Sequence, residues 1–206
     1  MAHAYSTSSK EHRRVPFFLA AAAIASAFVL GRLLDHYKIT FEWWFSPPID
    51  AMAFYGFFFW LFDHWIWKWS LLHRIRIVCT PVLNGQWTGH VESSHHDSIT
   101  EGLVDIDVDI EQTWTEMLIT ASTTQSTSHS LWAAIVTTEP CTLSYEYIND
   151  PRPDTPPTMH IHRGTARLAI DRRTEELKGD YYSGRDRENT GSISLCRRKE
   201  SRERQQ

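Results

Sequence analysis

Cysteines and catalytic motifs are scarce in this chain of 206 residues. Its three cysteines, Cys79, Cys141 and Cys196, form neither a disulfide framework nor a metal-ligand spacing, which fits a reducing compartment. The sequence contains no nucleophile elbow, P-loop or HExxH motif. It therefore predicts a protein that is not an enzyme and that holds no cofactor or metal.

Positive charge is scarce in the second part of the chain. Residues 1–77 carry eight Lys and Arg against five Asp and Glu, whereas residues 78–206 carry thirteen against twenty. An acidic domain of this kind argues against electrostatic capture of polymeric nucleic acid. Hydrophobicity is also uneven, because six of the nine Trp fall between positions 43 and 69. The pattern predicts an apolar N-terminal region followed by one soluble domain.

The first long apolar run is VPFFLAAAAIASAFVLG, from Val15 to Gly31. As a helix extended to Leu34 it reaches roughly 30 Å, which is the thickness of a bilayer core. A secretory signal peptide is the alternative, but the run is long, and no A-x-A-like site closes it. The sequence therefore predicts a tail over 1–14 and a transmembrane helix over 15–34.

A second apolar stretch predicts another transmembrane helix over 49–72, after a periplasmic loop over 35–48. Its apolar core of twelve residues is too short to span alone, and the surrounding Trp would extend it as an interfacial belt. Asp63 and His64 interrupt the stretch. Either they lie near the headgroups, or they face another helix or an aqueous path in an assembled state.

Basic residues flank the two stretches and predict their orientation. They favour a cytoplasmic location for both termini, because cytoplasmic flanks carry an excess of Lys and Arg. The flanking residues are Lys10, Arg13 and Arg14 before the first stretch and Lys68, Arg74 and Arg76 after the second.

Beyond Val78 the hydrophobic period changes to two. In LVDIDVDI, from Leu103 to Ile110, apolar residues alternate with three aspartates, as in a strand with one solvated face. Eight or nine such short runs predict an all-β domain over 78–197, a small closed antiparallel barrel of about eight strands that is wide enough for one small ligand. A charged tail over 198–206 follows.

Several polar and aromatic residues could carry binding. Tyr145 and Tyr147 share one strand face, and Tyr181 precedes a turn that contains Arg185. Tyrosine offers a stacking surface for a base, and arginine offers contacts to phosphate. The alternative is that the tyrosines fill the core while Arg185 pairs with an acidic neighbour. A metal pair formed by His160 and His162 would lack a third ligand.

The order of six short motifs carries a resemblance. Behind the two apolar stretches, the chain resembles the two-transmembrane β-strand-rich effectors of bacterial cyclic-oligonucleotide antiphage signalling (CBASS), the cyclic-dinucleotide receptor domain family. The motifs are LNGQWTG at 83–89, IEQTW at 110–114, STS at 126–128, YEYIN at 145–149, HRGT at 162–165 and LKGDY at 177–181, followed by Arg185 and Thr190-Gly191.

This resemblance implies a minimal eight-stranded barrel that binds a cyclic dinucleotide made by a partner nucleotidyltransferase. It also implies that ligand-controlled homo-oligomers disrupt the lipids of the bacterial inner membrane, so that the infected cell stops growing (abortive infection). The ligand would activate the effector or, in a related arrangement, restrain it. The pocket residues implied are Tyr147, Asn149, His162, Tyr181, Arg185, Thr190, Ser126 and Ser128.

Two other functions stay open at this stage. The barrel would be a membrane-tethered carrier or sensor of a lipid-like ligand, or a structural subunit with a solid core. The lining of the barrel discriminates between them: tyrosines with arginine, asparagine and threonine favour a nucleotide, and an all-aliphatic lining favours a lipid.

Overall fold

The computed structural model describes residues 1–38, 47–93, 103–153, 160–184 and 189–198. Most of the predicted loop over 35–48 and of the tail over 198–206 lies outside the described residues. The chain divides into two units, one of residues 9–79 and one of residues 1–8 together with 80–206.

The second of these units is a closed β-barrel with nine strands among the described residues. From β2 to β9, each strand pairs with its neighbour in an antiparallel ladder, and β9 returns to pair with β2. This confirms the predicted barrel of about eight strands. The strands are β1 (His3–Thr7), β2 (Gly85–Ser93), β3 (Leu103–Gln112), β4 (Glu116–Ser122), β5 (Ser126–Val136), β6 (Thr142–Pro151), β7 (His162–Asp171), β8 (Glu176–Ser183) and β9 (Thr190–Arg197).

Alternation along the strands separates the core of the barrel from its surface. In β3, Ile106, Val108 and Ile110 are buried, while Asp105 and Asp107 are exposed. Such a pattern folds as a barrel strand because alternate side chains point to opposite faces of the sheet. The three aspartates of β3 are therefore solvated surface residues.

Strand β1 is the main difference from the sequence prediction, which assigned residues 1–14 to a tail. Strands β4 and β5 pair only from Thr120 to Ser122, and beyond that they diverge. Strand β1 fills this seam, with two residue pairs to β4 and three parallel pairs to β5. Tyr5 is buried, and His3 Nε2 lies 2.7 Å from Ser130 Oγ. The first residues of the chain are therefore part of the barrel wall.

A buried glutamine fills the end of the barrel at which β2 begins. The Gln112 side-chain oxygen accepts a hydrogen bond from the Leu83 backbone N–H at 2.7 Å. Its amide nitrogen donates to the Pro81 carbonyl at 3.2 Å and to the Tyr5 hydroxyl at 3.4 Å. The Gln112 backbone N–H donates to the Asn84 side-chain oxygen at 3.0 Å. One side chain thus ties β1, β3 and the segment before β2 together.

Arg197 closes the same end from β9. Its guanidinium donates to the carbonyls of Asn84 and Val82, each at 2.7 Å, and lies 4.6 Å from the centre of the Trp87 ring. Trp87 Nε1 in turn donates to the Leu83 carbonyl at 2.9 Å. The LNGQWTG motif therefore closes one end of the barrel.

Removing the Gln112 amide should destabilise the protein. Gln112→Leu leaves the Leu83 N–H and the Pro81 carbonyl buried without their partner, which should cost roughly 2–4 kcal/mol of unfolding free energy. Urea denaturation of the detergent-solubilised protein, followed by circular dichroism, measures this loss. The control is Glu111→Gln on the exposed face of β3, where the change should stay within about 0.5 kcal/mol. Equal stability of both variants would contradict the role given to Gln112.

Residues 9–79 form the helical unit. It contains α1 (Glu11–His36), α2 (Pro47–His64), a short 3₁₀ helix (Ile66–Lys68) and α3 (Ser70–Arg74). By length and composition, α1 is the one described helix that could cross a membrane. Its large apolar side chains are exposed, as expected of a surface that contacts lipid. They include Phe17, Phe18, Ile24, Phe28 and Val29.

Helix α2 ends at the polar pair that interrupts the second apolar stretch. The structure breaks the predicted 49–72 helix there, and a 3₁₀ helix follows. His64 Nδ1 lies 3.0 Å from the Trp60 carbonyl at this end. Asp63 is buried, with Oδ2 3.4 Å from His64 Nδ1. Its carboxylate therefore faces protein. The start and the end of the unit meet where the Glu11 carboxylate accepts a hydrogen bond from the Cys79 backbone N–H.

Candidate functional site

A cavity of about 140 Å³ opens at the barrel end opposite Gln112. Strands β4, β6 and β8 end there, and β5, β7 and β9 begin there, so residues distant in sequence meet at the mouth. The lining residues are Val91, Ile106, Ala121, Thr123, Ser126, Ser128, Tyr145, Tyr147, Asn149, His162, Tyr181, Ser183, Asn189 and Ile193.

Polarity changes with depth in this cavity. The residues farther along the strands are apolar, among them Ile106, Ala121 and Ile193. The residues at the strand ends carry hydroxyl, amide or imidazole groups, as Ser126 and Asn149 do. A ligand would thus place a flat or apolar part in the floor and hydrogen-bonding groups at the rim.

Three tyrosines line one side of the cavity. Tyr145 and Tyr147 are two residues apart on β6, and their ring centres lie 6.1 Å apart. Burial raises the pKa of the Tyr145 phenol above its ordinary value, and the neighbouring Tyr147 raises it further. Tyr145 is therefore neutral at any physiological pH. Tyr147 and Tyr181 lie nearer the mouth and are only partly buried.

The rim contains a fixed imidazole. His162 Nδ1 lies 3.0 Å from the His160 carbonyl, which can only accept, so this nitrogen carries a proton. In this tautomer the other ring nitrogen, Nε2, can accept a hydrogen bond from a ligand. Ser126 Oγ lies 3.3 Å from Thr123 Oγ1 and is held in place by that turn.

The structure brings together six of the eight residues that the resemblance implied. Thr190 is exposed on the outer face of the barrel, where it lines a shallow depression with Tyr182. Arg185 lies outside the described residues. The six that line the cavity are Ser126, Ser128, Tyr147, Asn149, His162 and Tyr181.

Sequence reasoning missed several lining residues that a strict period of two would have found. Ser183 follows Tyr181 by two positions on the same face of β8, and its backbone N–H donates to the Asn189 carbonyl across the turn. The apolar floor was also missed, because Val91, Ile106 and Ile193 look like ordinary core residues.

The charge of the lining restricts its chemistry. Within the described ranges, no Lys or Arg lines the cavity. The described residues also contain no cluster of three His, Cys, Asp or Glu that could hold a metal ion. An anionic ligand would therefore depend on hydrogen bonds from the rim and on a cation from elsewhere.

The chain matches two protein-family models. A family model described as "Cap15, cyclic dinucleotide receptor domain" matches residues 78–197, and one described as "Cap15, TM helices" matches residues 13–68. Strand β1 lies outside both matches.

Two curated relatives share the name CD-NTase-associated protein 15. The protein of Yersinia aleksiciae is 30% identical over 156 residues, covering 72% of this chain and 70% of the relative. That of Staphylococcus schleiferi is 27% identical over 135 residues, covering 65% of this chain and 69% of the relative.

Proposed function

The chain belongs to the Cap15 family, with a cyclic dinucleotide receptor domain behind transmembrane helices, and on this basis we propose that a cyclic dinucleotide binds in the open end of the barrel. The observation that carries the proposal is the lining of the cavity. Tyr147 and Tyr181 stand beside an apolar floor under a polar rim. Stacking on an aromatic side chain contributes about 1–3 kcal/mol per base, and rim groups such as Asn149 can hydrogen-bond base edges.

The size of the cavity limits how much of a ligand it can enclose. Its volume of about 140 Å³ is below the roughly 300–1,000 Å³ of typical ligand sites. A cyclic dinucleotide would fill the lumen with its planar groups and project from the mouth. Its two phosphates would then lie at the rim, near Ser126, Ser128 and His162.

The phosphates need a positive partner that the described lining lacks. We assign this role to Arg185, in the connection between β8 and β9, because a guanidinium binds phosphate through two parallel hydrogen bonds. Both strands that flank this connection reach the mouth, since Ser183 and Asn189 line the cavity.

Strand β1 supports a two-pass topology. Residues 3–7 and 85–197 share one barrel, so the chain leaves the barrel at Ser8 and returns at Thr80. If α1 crosses the membrane, the chain must cross back before Thr80. The Lys and Arg at both flanks then favour a cytoplasmic location for both termini of a bacterial inner-membrane protein.

The two-pass topology also suggests how the protein would damage a membrane. Two helices cannot enclose a pore, so membrane damage would require several copies that bring their helices together. Ligand can control this only by favouring one barrel arrangement over another. We propose that such ligand-controlled homo-oligomers disrupt the inner membrane and end the growth of infected cells, with the nucleotide supplied by a nucleotidyltransferase.

The test is calorimetry on the full chain in detergent. Cyclic di-GMP, cyclic di-AMP, cyclic di-UMP and cyclic GMP–AMP are titrated in turn, and we expect at least one to bind in the micromolar range or tighter. Tyr181→Leu should weaken that binding at least tenfold by removing a stacking surface. The control is Tyr182→Leu, because this neighbouring tyrosine is exposed on the outer face.

The apolar floor also favours the lipid-like ligand as a second candidate. The same protein is therefore titrated with a medium-chain fatty acid. If the fatty acid binds, Tyr181→Leu leaves its affinity unchanged, and no dinucleotide binds, the receptor proposal is wrong and the carrier is right.

A further inference from the structure

Both tyrosines near the mouth lie opposite a glycine. Tyr147 of β6 pairs with Gly164 of β7, and Tyr181 of β8 pairs with Gly191 of β9. A Cβ atom placed on Gly164 would lie 2.4 Å from both Cζ and Oη of Tyr147. One placed on Gly191 would lie 2.5 Å from Cε1 of Tyr181. Non-bonded carbons normally stay about 3.5–4.0 Å apart, so each ring occupies the space of the absent side chain.

The close approach to the glycines shows in which direction the tyrosine rings lean. A tyrosine that stood upright from its strand would hold Cζ and Oη in the lumen, away from the neighbouring backbone. Tyr147 instead leans across onto β7, where its tip lies over Gly164. The deeper Tyr145 differs, because it pairs with Ala166 and belongs to the packed core. The glycines thus coincide with the two rings that border the open part of the cavity.

We infer that Gly164 and Gly191 are positioning residues, which seat the Tyr147 and Tyr181 rings along the barrel wall and thereby keep the lumen open for two planar groups. The inference rests on the proposed function for the identity of those groups, which are nucleobases. A methyl group at either position would lift the ring into a cavity of only about 140 Å³. The ring would then obstruct the space in which a base should stack.

The two glycines differ in what else surrounds them. A Cβ on Gly191 would also lie 2.0 Å from the Glu92 carbonyl oxygen, so an alanine there must distort the backbone. For Gly164 the nearest backbone atom is the Tyr182 carbonyl oxygen at 2.8 Å, and the closer atoms are the movable tip of Tyr147. An alanine at Gly164 thus meets the backbone less severely than one at Gly191, and its closest contacts are with the Tyr147 ring, so Gly164 is the better position at which to test seating of a ring.

A double-mutant cycle in the full chain tests the inference. Gly164→Ala should weaken binding of the tightest dinucleotide of the panel at least tenfold. Tyr147→Leu removes Cζ and Oη and leaves only the contact with the Tyr182 carbonyl, so in that background Gly164→Ala should cost at least threefold less affinity than in the wild-type background. An equal loss in both backgrounds would show that the glycine acts through the backbone, and the inference would be wrong.

A measurement without ligand keeps this test separate from the receptor proposal. In protein labelled with 3-fluorotyrosine, Tyr147→Leu identifies the Tyr147 resonance by its loss. Gly164→Ala should shift that resonance, whereas Thr165→Ala on the exposed face of β7 should not. An unmoved resonance overturns the inference even if nucleotide binds, and a shifted one supports it even if none does. If Gly164→Ala alone does not fold, rescue by Tyr147→Leu supports the inference, and failure of the double variant contradicts it.

Discussion

A chain in which a short Gly-Ser linker joins Ser8 to Thr80, in place of residues 9–79, should bind the same dinucleotide and cause no membrane damage. The linker is feasible because Thr7 Oγ1 and Thr80 Oγ1 lie 3.5 Å apart. The barrel keeps all nine strands, and the helices proposed to disrupt the bilayer are gone. Binding is measured by calorimetry, and damage by dye entry into cells that also make the nucleotide.

The matched variant lacks residues 1–79 and differs from the linked barrel only in β1 and the linker. It exposes the β4–β5 seam and loses the buried Tyr5, so its unfolding free energy should fall by roughly 2–4 kcal/mol. An open strand edge also promotes association. If the linked barrel still admits dye into cells, toxicity lies in the barrel. Equal stability of the two variants would remove β1 from the wall.

Arg185→Ala should weaken dinucleotide binding by about 2–4 kcal/mol, because it leaves a ligand phosphate without its charged hydrogen bonds. This corresponds to roughly a 30- to 1,000-fold rise in Kd. Arg185→Lys should restore little if the contact is bidentate, since a lysine ammonium cannot match the planar fork of a guanidinium. Calorimetry on the full chain in detergent measures all three proteins.

Arg167→Ala is the matched control for charge. Arg167 is exposed on the outer face of β7, so its removal changes net charge equally and should leave Kd within twofold. A loss of affinity in both variants would indicate long-range electrostatics rather than a contact, and it would vanish at high salt. An unchanged Kd in a folded Arg185→Ala protein would remove Arg185 from the site.

The barrel was predictable because its strands carry strong local signals. The alternation in β3 assigns Ile106 and Ile110 to the core and Asp107 to solvent, and turn residues separate the later strands. Antiparallel strands that follow one another in sequence need only short connections. The order of the strands along the chain is therefore also their order of pairing in the barrel.

Strand β1 was not predictable from such signals. HAYST is short and polar, stands directly before a helix, and its partners Met117 and Ala133 are more than 100 positions away. Its pairing depends on the divergence of β4 and β5 beyond the Thr120–His129 pair, close to the register shift between Ser130 and Trp132 in the β5–β6 ladder. That divergence is a tertiary feature, and no pattern within residues 1–14 encodes it.

The candidate site was predictable in part. A period of two places Tyr147 and Asn149 on one face of β6, and the motif order selects that end of the strand. The sequence did not indicate which of Thr190 and Gly191 faces the lumen, because adjacent residues of a strand point to opposite faces of the sheet. The structure turns Gly191 inward, opposite Tyr181, and Thr190 outward.

The place of β1 in the wall also imposes an order on biosynthesis. The ribosome makes residues 3–7 first and the other eight described strands only after the whole helical unit, residues 9–79. The first strand must therefore remain without its partners until β4 and β5 are complete. A peptidase that treated α1 as a cleavable leader would remove this strand together with the helix. The wall would then close only through the three β4–β5 pairs, with the rest of the seam open.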